Sequence, residues 1–382
     1  MRIRWTTRIV TVAGVIWLTA AAAAAGGGAA HAAQARKTQA TLTAAVSDAA
    51  GYTMAGGLSG VSATSAGNAW AVGYSGSIFK QKTLILHWNG RAWARSPGFT
   101  PVTGGLLAVA AVSRSSAWAA GFSGGYGKVP ARTLLLHWNG RRWSAVTAPK
   151  PADGAFSAVT ATAAYAFAAG STASGKGLIW CWNGGTWATT RVPAIPGGGG
   201  VNGIAARSAT SAWAGGDATE STQISDMLMR WNGATWSLVP RFPIRGRFWT
   251  INGMAEGRGG TAWAVGSDAD TLTNAAISMY FNGQNWVKVP SPKNAAFVAV
   301  AAVPGGTAWA GGEAYQGSAV DPLLERWTGT SWVRTPSPAL GGSVQLGGVA
   351  ATSPGNAWAV GFTVNGNATK TFILRWNGGA WR

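Results

Sequence analysis

The chain is poor in acid, sulfur and imidazole. Its 382 residues hold 11 Asp and Glu against 30 Lys and Arg, three His and one Cys. A single cysteine, Cys181, excludes an intramolecular disulfide, and none stands near the N-terminus to take a lipid anchor. Histidine catalysis is nearly excluded as well. His31 lies in the N-terminal segment, while His87 and His137 occupy one repeated position that is Cys181, Arg230, Tyr280, Arg326 and Arg375 elsewhere. A position that varies in this way reads as a structural site with a polar tip, and two histidines so far apart make a poor metal site. No phosphate-cradling loop, HExxH or G-x-S-x-G is present, and the Gly197–Gly200 run has no helix after it, so no cofactor is expected. No helical period runs through the chain. After the first 35 residues no apolar run is long enough to span a bilayer.

The basic residues, 21 Arg and nine Lys, are spread along the chain without a run. A dedicated nucleic-acid groove would concentrate them, so no specific nucleic acid is expected. The formal charge of +19 instead favours loose attraction to anionic wall polymers, glycans or headgroups. At the N-terminus, Arg2, Arg4 and Arg8 precede an apolar run from Ile9 to about Ala25, then Ala30-His31-Ala32. That layout matches a secretory signal over 1–32, with a retained membrane anchor as the alternative reading. Residues 33–54 read as a linker. The expected address is secreted or cell-envelope associated.

What the chain has in abundance is tryptophan, 23 in all, and a repeat that explains most of it. "HWNGRAW" (87–93) returns as "HWNGRRW", "CWNGGTW", "RWNGATW", "YFNGQNW", "RWTGTSW" and "RWNGGAW". A second phrase, "NAWAVG" at 68–73, keeps step with it. Its aromatics Trp70, Trp118, Phe167, Trp213, Trp263, Trp309 and Trp358 are spaced by 48, 49, 46, 50, 46 and 49 residues. A period near 48 marks an array of supersecondary units. Each unit reads as four short strands, and Asn-Gly is a strong hairpin signal between the third and fourth. Whether that loop holds two residues or four, both indoles fall on one face, because side chains alternate with period two. One such sheet cannot bury both faces alone. Residues 55–382 are therefore expected to form an all-β, seven-bladed β-propeller of four-stranded blades. Nineteen tryptophans then serve packing, two lie in the signal, and only Trp180 and Trp249 fall outside the pattern. Blade seven stops directly after Trp381, so its outer strand should be short, or completed by residues from about 41–50.

The segment "VAATSPGNAWAVG … ILRWNGGAW" resembles the repeat of Asp-box-type seven-bladed propellers. The likeness is strongest to the photosystem II assembly-factor group and looser to kelch and galactose-oxidase propellers. Gly90 and Trp93 match the box, while Leu86 and Trp88 stand where it has Ser and Asp. The resemblance implies a fold and no activity.

Function is expected on the long loops between the second and third strands and between blades, which share one face. Asp217, Glu220, Asp226, Asp268, Asp270, Glu313 and Asp321 fall in the former loops of blades four to six. Blades one to three carry Lys80, Lys82, Lys128, Arg132 and Lys176 there, and no acid. The loop "RFPIRGRFW" adds Arg245, Arg247 and Trp249, whose ring could stack on a sugar or clasp a cation. The leading expectation is a non-catalytic monomer that binds an extracellular or cell-wall polymer or protein. The alternative is a polysaccharide hydrolase or lyase, with Asp268 and Asp270 as its carboxylate pair or as a calcium site. A structural scaffold, with merely solvated loops, is the third.

Overall fold

The computed structural model describes residues 52–382, apart from 78–79, 126–128, 147–148, 150–151, 196, 221–222, 240–248, 269–274 and 304–305. The expected signal, most of the linker and the segment 41–50 lie outside these residues. Blade one shows the plan. Strands β1 (Gly56–Ser65), β2 (Asn68–Ser75), β3 (Lys82–Trp88) and β4 (Trp93–Arg95) pair in sequence order as an antiparallel meander. Six further sheets repeat it around a ring, and the chain is a seven-bladed β-propeller. The burial gradient follows the order of strands. Residues Asn68–Tyr74 of the second strand are buried without a break, whereas the fourth strand buries Trp93 and exposes the next two.

The hairpin loop holds four residues. Trp88 pairs directly with Trp93, and the rings lie 5.9 Å apart. Asn89 is not half of a two-residue turn: its Oδ1 accepts the N–H groups of Arg91 and Ala92 at 2.9 and 3.0 Å. That is the local bonding that short amide side chains offer a turn. Gly90, at φ +99°, supplies the left-handed step. Asn139, Asn183, Asn232, Asn282 and Asn377 act alike, and Thr328 substitutes in blade six.

Both indoles pack against the neighbouring blade. Trp70 of blade one lies 5.2 Å from Trp138 and 5.1 Å from Trp143 of blade two. The same three-ring group recurs at the next junctions, for example Trp309 with Trp376 and Trp381. Fourth-strand indoles also bond backwards: Trp143 Nε1 donates to Ser96 Oγ, Trp236 Nε1 to Thr190 Oγ1 and Trp381 Nε1 to Thr335 Oγ1. The repeat tryptophans are buried, except for half-buried Trp182 and Trp332.

The innermost strand of every blade carries a one-residue bulge, at Ser59, Leu107, Ser157, Asn202, Asn252, Val298 and Gly347. These strands line a central cavity of about 380 Å³. The bulge explains the glycine that closes each "AWAVG" phrase. A Cβ at Gly73, Gly216 or Gly312 would collide with the carbonyl of Gly57, Gly200 or Ala296.

Blade seven has three long strands, and its outer edge is completed from both ends of the described chain. Trp381 pairs with Trp376, and Arg375 and Arg382 exchange backbone hydrogen bonds of 2.8 and 3.0 Å. Farther along the same edge Ala55 bridges Lys370, and Thr371 N–H donates to Met54 O at 2.9 Å. The outer strand is thus short and is also completed from before blade one, by the stretch reaching Ala55. Leu58 and Val61 then pack with Trp358 and Ile373, which closes the ring.

Candidate functional site

The inner strand begins and the second strand ends on one face, since Gly56 pairs with Ser75. The residue after each repeated glycine stands near the end of the second strand on that face, paired with the start of the inner strand that lines the central cavity. We call this ring the mouth, although Tyr74 and Phe362 are buried in it. Around the ring these residues are Tyr74, Phe122, Ser171, Asp217, Ser267, Glu313 and Phe362, opposite Gly57, Gly105, Ala155, Gly200, Thr250, Ala296 and Gln345. Phe362, Tyr74 and Phe122 belong to three consecutive blades, because blade seven adjoins blade one. Half of the mouth is aromatic and the other half is polar.

The aromatic half depends on small partners. Tyr74 and Phe362 meet edge to face with centroids 6.1 Å apart. A Cβ on Gly57 would come within 2.7 Å of the Tyr74 ring and 2.8 Å of Phe362. In the polar half, the amide of Asn202, a bulge residue, donates to Asp217 Oδ1 at 2.9 Å. Asn252, the next bulge residue, donates from Nδ2 to Phe297 O at 2.9 Å and accepts from Thr250 Oγ1 at 3.1 Å. Thr250 in turn lies 3.4 Å from Ser267 Oγ. Tyr315 OH donates to Glu313 Oε2 at 3.2 Å. Burial raises both carboxyl groups: Asp217 is shifted up, and Glu313 reaches about 7 despite hydrogen bonds from Tyr315 and the Leu346 backbone. Glu313 therefore exchanges a proton near neutrality, and the belt offers both donors and acceptors.

Of the sequence-derived residues, Asp217 and Glu313 stand in this belt. Asp268 is half-buried one step farther out on blade five, and Asp321 is half-buried on the third strand of blade six. Glu220 pairs with Gln223 where the second and third strands of blade four meet. Asp226 lies opposite Asp217 on that same ladder. Arg245, Arg247 and Asp270 lie outside the described residues. Trp249 corrects the expectation of an exposed ring. It is 8% exposed, packs in the core between blades four and five, and is covered by Lys288 Nζ at 4.8 Å from its centroid. The charge division is also less complete than the loops suggest. Arg132 lies 3.7 Å from Asp153, an acid carried by the connection between blades two and three. Neither histidine is free: His87 Nε2 lies 2.8 Å from Asn68 Oδ1 and His137 Nε2 lies 3.3 Å from Ser116 Oγ. Burial lowers the pKa of both rings, with Arg114 adding to the effect at His87. Cys181 is half-buried, and burial raises its thiol, so it is not an activated nucleophile.

Asn202, Thr250, Asn252, Ser267 and Tyr315 escape a search for acids. Only Ser267 had a signal in the repeat, as the residue after the fixed glycine Gly266.

No protein-family model and no curated protein sequence matches the chain. Solved structures do. YCF48 bound to D1 peptide matches with a TM-score of 0.52 at 14% identity, over 84% of this chain and 94% of that one. The β-propeller domain of the trilobed protease from Pyrococcus furiosus, with an open velcro topology, gives 0.54 at 9%, over 85% and 96%. A PL25 ulvan lyase bound to a glucuronate–sulfated rhamnose unit gives 0.53 at 10%, over 86% and 96%. At such identities the likeness is one of fold.

Proposed function

We propose that the chain is an exported, non-catalytic binding propeller that takes an envelope or extracellular polymer, or a protein presented there, at the mouth of its central cavity. The observation that carries this reading is the divided ring. Phe122 offers a half-buried apolar edge beside the buried Tyr74–Phe362 pair, and half-buried Asp217, Ser267 and Glu313 offer hydrogen bonds. A ligand with apolar faces and a polar edge, such as a glycan chain or an extended peptide, suits such a surface. The basic and apolar start of the sequence supports export, and the excess of Lys and Arg supports residence on anionic surfaces. Two structural neighbours are relevant by analogy, since one is described with a peptide and another with a sugar unit. A polysaccharide and peptide array probed with the full chain at low and high salt tests the proposal. Specific spots that fade with Asp217→Asn or Phe122→Ala support it, and uniform salt-sensitive staining that ignores both changes refutes it.

A polysaccharide hydrolase or lyase is the second reading. It is favoured by the Glu313–Tyr315 pair, in which a carboxyl titrating near 7 is hydrogen-bonded to a phenol. Chain shortening of an array-positive glycan that stops in Glu313→Gln would establish it; an intact glycan after long incubation would remove it.

A further inference from the structure

The opposite face carries a second cavity, of about 200 Å³, between blades four and five. Arg207, Arg230 and Glu256 line it, and Trp213 and Phe281 form apolar walls. The carboxylate is out of keeping with the repeat. Glu256 pairs with Ala262, and the residues that pair likewise in the other blades are Ala63, Ala111, Ala161, Ala206, Ala302 and Ala351. Its Oε2 is buried with no hydrogen-bond partner among the described residues. Burial holds its pKa at about 7, even though Arg207 and Arg230 both oppose that rise.

The arginines are equally unspent. Arg375, the counterpart of Arg230 in blade seven, donates to Asn356 Oδ1 at 3.1 Å and to Ala66 O at 3.4 Å. In blade four Ser211 replaces that asparagine. Arg230 lies 5.2 Å over the Trp213 ring and makes no hydrogen bond among the described residues. Arg207 rests against Gly260, where a Cβ would come within 3.4 Å of Nη1. No carboxylate oxygen among the described residues lies within 4.0 Å of either guanidinium. Both arginines are exposed and Glu256 is half-buried, so the positive charge is outermost and the negative charge lies deeper.

A simple anion would satisfy the arginines but crowd Glu256, and a simple cation would meet two guanidiniums. Only a molecule with both charges close together complements the three groups. We propose that this cavity binds a small zwitterion, an α-amino acid, with its ammonium inward on Glu256 and its carboxylate outward on Arg207 and Arg230. Trp213 and Phe281 bound the space left for a short side chain. Glu256 also lines the central cavity, at the end of the inner strand away from the mouth.

Titration calorimetry on the full chain at pH 8 tests it, with L-alanine, acetate, methylammonium and inorganic phosphate as probes. L-Alanine is expected to bind at least about tenfold more tightly than acetate or methylammonium, because each fragment leaves a buried or exposed charge unmatched. Glu256→Gln should weaken L-alanine about tenfold or more and leave acetate within about twofold, while Arg230→Gln should weaken both. Should Glu256→Gln misfold by near-ultraviolet circular dichroism, Glu256→Ala restores the residue of the other six blades and serves instead. The proposal fails if L-alanine gives no saturable heat, if its binding ignores the change at Glu256, or if phosphate binds more tightly, which would mark a plain anion site.

Discussion

The junctions between blades and the mouth of the central cavity are written by the same repeat, yet they tolerate different things. At a junction each ring is enclosed on both sides. Trp70 touches Trp138 and Trp143, and in blade three Phe167 meets Trp231 and Trp236 in the same arrangement. A change of volume there is felt by two sheets at once. At the mouth Phe122, Ser171, Asp217, Ser267 and Glu313 are only half-buried, while Tyr74 and Phe362 are packed. The position after the fixed glycine therefore runs from Phe to Ser to Glu without altering the fold. Packing fixes the wall, and the rim is left free to vary.

The sharpest way to break that contrast is to empty a junction. Trp309 is fully buried, so Trp309→Ala should lose about 3–5 kcal/mol in denaturant unfolding. Its Nε1 has no hydrogen-bond partner among the described residues, and blade three manages with Phe167 at the equivalent place. Trp309→Phe should therefore lose only roughly 1–2 kcal/mol. Equal losses for the two variants would mean that the indole N–H, and not volume, governs the wall.

A junction position can also carry the wrong chemistry. Glu325 is 5% exposed, its Oε2 has no hydrogen-bond partner among the described residues, and its ladder place corresponds to Leu86, Leu136 and Leu374. Burial raises its pKa to about 7, and Arg334 offsets only part of that. A carboxyl with a raised folded pKa stabilises the fold most below its unfolded value. That contribution is lost as pH climbs through about 7. Glu325→Leu should accordingly stabilise the chain more at pH 8 than at pH 4, by roughly 2–3 kcal/mol. Melting curves at the two pH values check this, and a gain that ignores pH would show that the carboxyl is not buried in the fold.

Turn chemistry is worth less. Asn89→Ala removes one acceptor from two exposed N–H groups that water can serve instead. About 1 kcal/mol or less should be lost, while the same change at Trp93 belongs with the junctions.

The wall was far more legible in the sequence than the rim. Period and phrase were enough to find seven blades and to assign nineteen indoles to packing, because those residues repeat what their neighbours do. The loop length was ambiguous, since both registers place Trp88 and Trp93 on one face, and the Asn89 side chain decides between them. Trp249 was misjudged for a non-local reason. It opens an inner strand after a long connection, but Lys288 from the fourth strand covers its ring. The bulges at Asn202 and Asn252 come from register alone, and no local pattern announces them. Acids were easy to see and amides were not, so only Asp217 and Glu313 of the polar belt were found in advance.

The smallest effect on stability should come from the rim, and it should coincide with the largest effect on binding. Asp217 is half-buried, and burial raises its pKa. Its ionised form is therefore less favoured in the fold than in the unfolded chain. An asparagine of the same shape can keep the contact, its Oδ1 accepting from Asn202 Nδ2, and carries no charge at any pH. Asp217→Asn should leave unfolding free energy within about 0.5 kcal/mol of the parent near pH 5, with any gain appearing only as pH rises. If the mouth recognises a partner, the same variant should lose array binding that Asn89→Ala, on the other face, retains. Stability and binding would then separate by face, as the contrast between wall and rim requires. A loss of several kcal/mol in Asp217→Asn would place this carboxylate with the junctions, and unchanged binding in both variants would leave the rim without a role.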